Sequence, residues 1–504
     1  MLQIRNLTII YDKDQRKLVD KLSLTLNDGD RLAIIGEEGN GKSTLLQWIH
    51  DPMLIRSYAT AQGAITKDGS TGLLRQMLPE EYHAISVYDY LSQNEDFLLM
   101  DYKELGALCS SMRLPIEQCY SMQRMDTLSG GERVKIQILS LMIRQPDVLL
   151  LDEPANDLDI ATLEWLQDFL AKTPQPVIFI SHDEDLLEHS ASRILHIELL
   201  KRKSSSRCTL ANMGYKEYLQ QRKTSFARQA RQAAEDVRQD QIRMDKLRKI
   251  EQTVEHDLRN VSRQDPHGGY LLKKKMHAVK SMEKRFAKER LNMREFPLQE
   301  EAIAFSFQPC NLPPGKIILD LQEETIPFSS ARISLLVTSK EKVTIIGDNG
   351  IGKTTLLKQI LKILSDRDDI KVGYMPQNYD DNLDLSLSPI AFLSPQGDKE
   401  TVTKARQYLG AMRYTSDEME HAMSQLSGGQ KAKVLLLKMN LDECNVLLLD
   451  EPTRNLSPLS APIIRSMLAA YTGCIIAVSH DRRYIKEVST SVYILDQEKL
   501  SQAK

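Results

Sequence analysis

Residues Arg31–Ile49 read RLAIIGEEGNGKSTLLQWI. A short apolar, β-prone run meets a glycine-rich turn and then a helical pattern, which is the strand–loop–helix order of GxxxxGK[ST]. The glycines let the chain wrap with its N–H groups pointing inward, and the helix N-terminus adds its positive end, so such a loop cradles phosphate. The same wording returns: GEEGNGKST (Gly36–Thr44) as GDNGIGKTT (Gly347–Thr355). Three further motifs recur in the same order at one offset of 298 residues, namely LSGGE (Leu128–Glu132) as LSGGQ (Leu426–Gln430), VLLLDEP (Val148–Pro154) as VLLLDEP (Val446–Pro452), and ISHD (Ile180–Asp183) as VSHD (Val478–Asp481). The chain is read as a tandem duplication of one α/β domain of roughly 200 residues.

The motifs assign chemistry. In the loops, Gly36, Gly39 and Gly41 precede Lys42, Ser43 and Thr44, and Gly347, Gly350 and Gly352 precede Lys353, Thr354 and Thr355. Lys42 and Lys353 are placed to reach the β- and γ-phosphates, and the hydroxyls of Ser43 and Thr354 to coordinate Mg2+. Each VLLLDEP run reads as a buried parallel strand with two carboxylates at its C-terminal lip, where open α/β sheets bind ligands. Asp152 and Asp450 are expected to hold Mg2+. Glu153 and Glu451 are expected to orient and polarise the attacking water.

LSGGE and LSGGQ are the most specific signals, and with the other motifs they make the chain resemble the ATP-binding cassette superfamily. The resemblance implies two P-loop ABC ATPase domains that use ATP and Mg2+. It implies that Ser129, Gly130 and Gly131 cap the ATP held by Lys353, and that Ser427, Gly428 and Gly429 cap the ATP held by Lys42. Gln76 and Gln377, each after a short apolar strand, resemble the glutamine that senses Mg2+ and the attacking water. His182 and His480 are expected to contact the γ-phosphate. Tyr11 resembles the aromatic that stacks on adenine, and no counterpart is placed in the second copy. The copies also diverge: PANDLD ends in Asp159, PTRNLS in Ser457. The family carries aspartate there, so the two sites are expected to be unequal.

Between the copies, residues 214–296 hold 21 Lys/Arg against 12 Asp/Glu, a local net of +9 in a chain of net −3. Apolar residues recur at helical steps through Met244, Leu247, Ile250, Val254, Leu258 and Val261. After a turn signal, DPHGG (Asp265–Gly269), they recur again through Leu272, Met276, Val279, Met282 and Phe286. This predicts a long antiparallel helical hairpin whose first arm is ~65 Å long. The basic hairpin, led in by GYKEYLQQR (Gly214–Arg222), resembles the linker of the ABC-F group. The resulting division is a first cassette at 1–205, a hairpin at 206–298 with its tip near 262–270, and a second cassette at 299–504.

The resemblance implies a cytoplasmic monomer with its cassettes paired intramolecularly, bound at the ribosomal tRNA-exit site, with the hairpin reaching P-site tRNA, rRNA and the peptidyl-transferase centre. Arg263, His267, Tyr270, Lys273, Lys274 and Lys275 are expected to contact RNA or tRNA through charge, shape and stacking. The Gln-to-signature spacing is 52 residues in the first copy and 49 in the second, so no arm is inserted. With PTRNLSPLS this resembles the antibiotic-resistance, ribosome-protection subgroup. A housekeeping ABC-F translation factor and the ATPase subunit of a transporter are the alternatives. The six cysteines, without CxxC spacing, read as packing residues of a reduced compartment. No apolar run is long enough for a membrane span, and the N-terminus carries no secretory pattern.

Overall fold

The computed structural model describes residues 2–156, 158–203, 205–260, 266–290, 293–294, 296, 305–310, 312–325 and 332–503. Contacts divide the chain into two compact units, Met1–Tyr215 together with Glu300–Lys504, and Lys216–Gln299. The first unit is the duplicated α/β part. Its first half contains β1 (Leu2–Tyr11), β2 (Arg16–Leu26), β3 (Arg31–Ile35), β4 (Ala59–Lys67), β5 (Thr71–Leu74), β6 (Val148–Asp152), β7 (Val177–Ile180), β8 (Arg193–Leu199) and β9 (Ser205–Ala211). Its second half contains β10 (Ile317–Thr325), β11 (Arg332–Thr338), β12 (Lys342–Ile346), β13 (Val372–Met375), β14 (Val446–Asp450), β15 (Cys474–Val478), β16 (Ser491–Leu495) and β17 (Leu500–Gln502).

The two halves build the same central sheet. Its order is β5-β6-β7-β3-β8-β9 in one and β13-β14-β15-β12-β16-β17 in the other. All neighbours run parallel except the last strand of each. Every residue of both VLLLD strands is buried, as expected for strands covered on both faces. Leu150, Ile178, Ile34 and Leu195, from four adjacent strands, pack on Leu45, Leu46 and Ile49 of the helix that follows the first glycine loop. Leu356, Leu357 and Ile360 repeat that packing on Leu448, Ile476 and Ile345. Each such side chain is worth about 1.5–3 kcal/mol of burial, so the loop–helix junction is seated on the core. Smaller antiparallel sheets, β2-β1-β4 and β10-β11, flank the main ones.

The second unit holds two long helices, Tyr215–Asn260, which begins at the junction, and Pro266–Arg290. The buried positions of the first run through Ala233, Leu247 and Val254, with Met244 and Leu258 half-buried. Ile250 corrects the expected stripe: it is 46% exposed. The step after Leu247 is four residues, and the half-buried Glu251 takes that face instead. In the second helix Leu272, Met276, Val279, Met282 and Phe286 share the inner face as expected. The turn signal differs in detail, since Pro266 already opens the helix. Its fixed φ suits the first helical position, so the proline starts the arm instead of ending the turn. Arg290 to Asp240 at 2.7 Å and Arg243 to Glu289 at 3.3 Å tie the arms together. Val261 and the first part of the expected tip, residues 262–265 with Arg263 among them, lie outside the described residues.

Within the first unit the two halves meet through charge. Arg465 Nη1 pairs with Glu184 Oε1 at 2.9 Å, and Arg483 pairs with Glu184 at 2.6 Å, Asp185 at 3.1 Å and Glu188 at 2.7 Å. The Arg465 and Glu184 side chains are only 3% and 5% exposed. Removing one member of a buried pair strands the other charge. Arg465→Ala is therefore expected to destabilise the chain by about 3 kcal/mol, the low end of the usual range because Arg483 still faces Glu184. A lowered urea midpoint for the full chain checks it, and Arg482→Ala, whose partner Glu164 is exposed, should shift it far less.

Candidate functional site

Each glycine loop lies between a core strand and the helix that opens at Lys42 or Lys353. A Cβ on Gly36 would stand 2.3 Å from the Ile197 carbonyl oxygen, and one on Gly347 2.4 Å from that of Leu495. Only glycine permits this approach, and it folds the loop back so that the lysine is enclosed. Lys42 Nζ donates to the Gly36 and Glu37 carbonyls at 2.9 and 3.0 Å, and Lys353 Nζ to those of Gly347 and Asp348, both at 2.7 Å. Gly39, Gly41, Gly350 and Gly352 complete these loops, and Thr44 and Thr355 follow in the first helical turns.

The acidic strand ends face the loops. Ser43 Oγ donates to Asp152 at 3.1 Å, and Thr354 Oγ1 to Asp450 at 2.7 Å. A hydroxyl beside a carboxylate at the mouth of a phosphate loop is an all-oxygen donor set of the kind Mg2+ takes. Glu153 and Glu451 come next, at φ 53° and 51°. Both sit in the left-handed region that non-glycine residues avoid, and such strain concentrates where a side chain must be aimed. Burial and Glu153 push the Asp152 carboxyl up to about 6. Burial and then Asp450 push the Glu451 carboxyl up to about 8. Burial and the nearby Lys353 bring the His480 imidazole down to about 4, and burial lowers Lys353 itself. Carboxyls pushed up and bases pushed down together describe a pocket short of counter-charge. Accordingly Glu451 Oε1 is a buried acceptor with no hydrogen-bond partner among the described residues, and these residues fit a Mg2+-bound triphosphate.

A cavity of about 780 Å³ brings the two halves to one place. Lys353, Thr354, Thr355, Gln377, Asp450, Glu451 and His480 line it from the second half, and Ser129, Gly130 and His182 from the first. Ser129 caps the helix Gly130–Ile143 in a reciprocal box with Glu132, which turns the helix N-terminus toward the cavity, with Gly131 buried behind. Around the Lys42 loop the partners also come from the other half. Ser427 caps the helix Gly428–Leu441, and a Cβ on Gly429 would stand 2.8 Å from the Glu38 carboxylate. Lys13 Nζ donates to Gln425 at 2.7 Å.

The remaining expected residues are more loosely tied. Gln76 and Gln377 are exposed in the turns after β5 and β13. Tyr11 ends β1 with its ring 6.5 Å from that of Tyr58. His182 Nε2 lies 2.8 Å from Glu153, whereas His480 Nε2 lies 3.9 Å from Glu451. At the hairpin, His267 and Tyr270 are exposed in the first turn of the second helix, followed by exposed Lys273, Lys274 and Lys275. Sequence reasoning missed Glu37 and Glu38 of the first loop and the Arg465–Glu184–Arg483 cluster. The one available signal was the difference between GEEG and GDNG in otherwise matching loops.

Comparison with known proteins places this geometry. The ATP-binding protein Uup of Buchnera aphidicola is 26% identical over 99% of this chain and 80% of its own length. The ribosome protection protein VmlR of Bacillus subtilis is 27% identical over 98% and 87%. A chain in the crystal structure of the archaeal ribosomal stalk protein aP1 with the archaeal ribosome recycling factor aABCE1 superposes with a TM-score of 0.58 at 15% identity, covering 99% of this chain and 90% of that one, a likeness of fold. The family model described as ABC transporter matches residues 19–156 and 331–454, just over half of the sequence. The chain thus belongs to the ATP-binding cassette family, carries its domain twice, and is an ATPase that takes ATP with Mg2+.

Proposed function

We propose that this chain is an ABC-F ATPase that binds the ribosome as a nucleotide-gated clamp, with cassettes at 1–205 and 299–504 and a basic hairpin at 206–298. The observation that carries the reading is the cavity shared by Ser129 and Gly130 of one cassette and Lys353 and Thr354 of the other. A nucleotide held by both halves binds the closed arrangement better than the open one, which is what a ligand needs in order to shift that equilibrium. Bound Mg2+ supplies positive charge to the phosphate oxygens. Lys42 and Lys353 hold the β- and γ-phosphates, Ser43 with Asp152 and Thr354 with Asp450 keep the metal, Gln76 and Gln377 sense it, and Tyr11 supports the adenine. Glu153 and Glu451 orient the attacking water and accept its proton, and His182 and His480 face the γ-phosphate. Hydrolysis removes the group that bridges the halves, so the clamp opens.

Two features favour the ribosome as the partner. Residues 214–296 of the hairpin carry a local net of +9, with Lys273, Lys274 and Lys275 exposed beside Tyr270 near its tip, a combination suited to phosphates and unpaired bases. VmlR, a ribosome protection protein, matches nearly the whole chain. On this reading the factor occupies the tRNA-exit site as a cytoplasmic monomer. Its hairpin displaces P-site tRNA and rRNA near the peptidyl-transferase centre, dislodging bound antibiotics. Among the described residues no helix is long and apolar enough to cross a membrane.

The double variant Glu153→Gln/Glu451→Gln is expected to co-sediment with ribosomes in ATP and stay bound, while the wild type is released. Rapid loss of the double variant in ATP rejects release by hydrolysis. Replacing Lys273, Lys274 and Lys275 by Glu should weaken sedimentation at least tenfold at 0.1 M salt and flatten its salt dependence. The same glutamine at Glu451 reports on the pocket alone. In the nucleotide- and metal-free chain a carboxyl at about 8 keeps its proton while the unfolded chain loses it near 4, so stability falls as pH rises through that interval. Glu451→Gln removes the fall. Unfolding free energies from urea titration are expected to match the wild type near pH 4 and to exceed it by roughly 4 kcal/mol at pH 7.

A further inference from the structure

The two halves place their carboxylates differently at matching points. Aligned by the 298-residue offset, Asp159 of the first half corresponds to Ser457 of the second, and Lys135 of one signature helix to Lys433 of the other. In the glycine loops Glu38 corresponds to Asn349. Around the Lys353 pocket the carboxylate therefore comes from Asp159 across the interface, and the loop carries an amide. Around the Lys42 pocket the interface position is a serine, and the loop carries the acid.

The contacts of Glu38 show where that acid goes. It is buried, and its Oε1 accepts from the Ser457 backbone N–H at 2.6 Å while Lys433 Nζ lies 3.2 Å from its Oε2. Gly429 leaves the space it fills, since a Cβ there would stand 2.8 Å from the Glu38 carboxylate. Its neighbour Glu37 turns mainly to Arg413 at 2.7 Å and to the Ser460 hydroxyl, and reaches Lys433 only at 3.8 Å, so Glu38 holds the shorter contact to that lysine. The charged groups around Glu38 and Asp159 match in kind. Glu38 acts on Lys433, His182 and Lys42. Asp159 acts on Lys135, His480 and Lys353. Each set is one signature-helix lysine, one switch histidine and one loop lysine. Burial alone would raise the Glu38 carboxyl, yet Lys433 first, then His182, Lys42 and the Ser457 N–H, hold it at about 2, so it is ionised throughout the working range.

We infer that Glu38 supplies, from the glycine loop itself, the carboxylate that Ser457 lacks at the Lys42 pocket. It is a positioning residue. It pairs with Lys433 of the opposing signature helix and accepts the Ser457 N–H, so the Lys42 pocket has its counter-charge on the loop side of the interface while the Lys353 pocket receives it from the other half. This rests on the reading of the two loops as the two ATP sites.

The test uses the full chain carrying Glu451→Gln, which leaves the Lys42 pocket as the site of turnover. Glu38→Gln, which keeps the shape, and Glu38→Asn are each expected to lower kcat about tenfold with KM within about threefold. Glu38→Asn combined with Ser457→Asp, which transplants the arrangement of the other pocket, should return kcat to within about threefold of its parent. In the nucleotide-free chain Glu38→Asn and Ser457→Asp should each lower the urea midpoint. The pair should lose less than their sum, as groups sharing one partner do. An unchanged kcat in Glu38→Gln overturns the inference, as does a double variant no better than Glu38→Asn. Recovery of the urea midpoint without recovery of kcat reduces Glu38 to packing and overturns it equally. Lys42→Ala in the same chain separates the two levels: turnover that survives it rejects the assignment of the pocket, whatever Glu38 does.

Discussion

The donors around Lys353 come from two stretches of chain far apart in sequence, so the pocket is complete only while the two halves are held face to face. What holds them is charge. The first half offers Glu37, Glu38, Glu164, Glu184, Asp185 and Glu188, and the second answers with Arg413, Lys433, Arg465, Arg482 and Arg483. In these pairs the acids lie on the first half and the bases on the second, while Lys203 and Glu418 pair in the opposite sense. Such complementarity fixes which faces meet and in what register, because a slip sets like charges together. It also limits adhesion. Each buried charge gives up hydration that the pairing only partly returns, so a contact of this kind is specific without being strong. The proposed clamp cycle, in which the halves part, needs that balance, and an apolar seam of equal area would not give it.

The pockets are aimed by backbone as much as by side chains. The glycine loop is pressed against the carbonyl of Ile197 or Leu495, and the glutamate after the acidic strand is held at positive φ in both halves. Neither arrangement is cheap locally. Both persist because the strands beneath them, buried along their whole length, leave the chain nowhere else to go.

How much of this was legible in the sequence depends on the range of the interaction concerned. Lys42, Ser43, Asp152 and their second-half counterparts are named by local spacing, since a strand, a tight turn and a helix need only their own residues to form. The inner face of the second hairpin helix was legible for the same reason. Ile250 was misplaced because helical steps alternate between three and four, and only the packing decides which step is taken. Pro266 was read as part of a turn because proline both ends and begins helices. The Arg465–Glu184–Arg483 cluster was not legible at all. An arginine on one helix says nothing about a glutamate some 280 residues earlier until the folds are built and brought together. Glu38 lay between these cases. Its contrast with Asn349 was visible in the repeat, but its meaning required the contact with Ser457.

That contrast bears on why two copies of one domain do not make two equal sites. His182 sits 2.8 Å from Glu153 while His480 stands 3.9 Å from Glu451, whose Oε1 lacks a hydrogen-bond partner among the described residues. The interface position is an aspartate in one half and a serine in the other. A substitution on one side of an interface changes the field felt on the opposite side, so it alters the pocket whose loop belongs to the other copy. The loss of a carboxylate at Ser457 therefore acts on Lys42 and not on Lys353. The compensating acid has to arise where that field is felt, which is the loop carrying Lys42. Glu38 stands at that point, four residues before the lysine, with its carboxylate accepting the N–H of the serine in question.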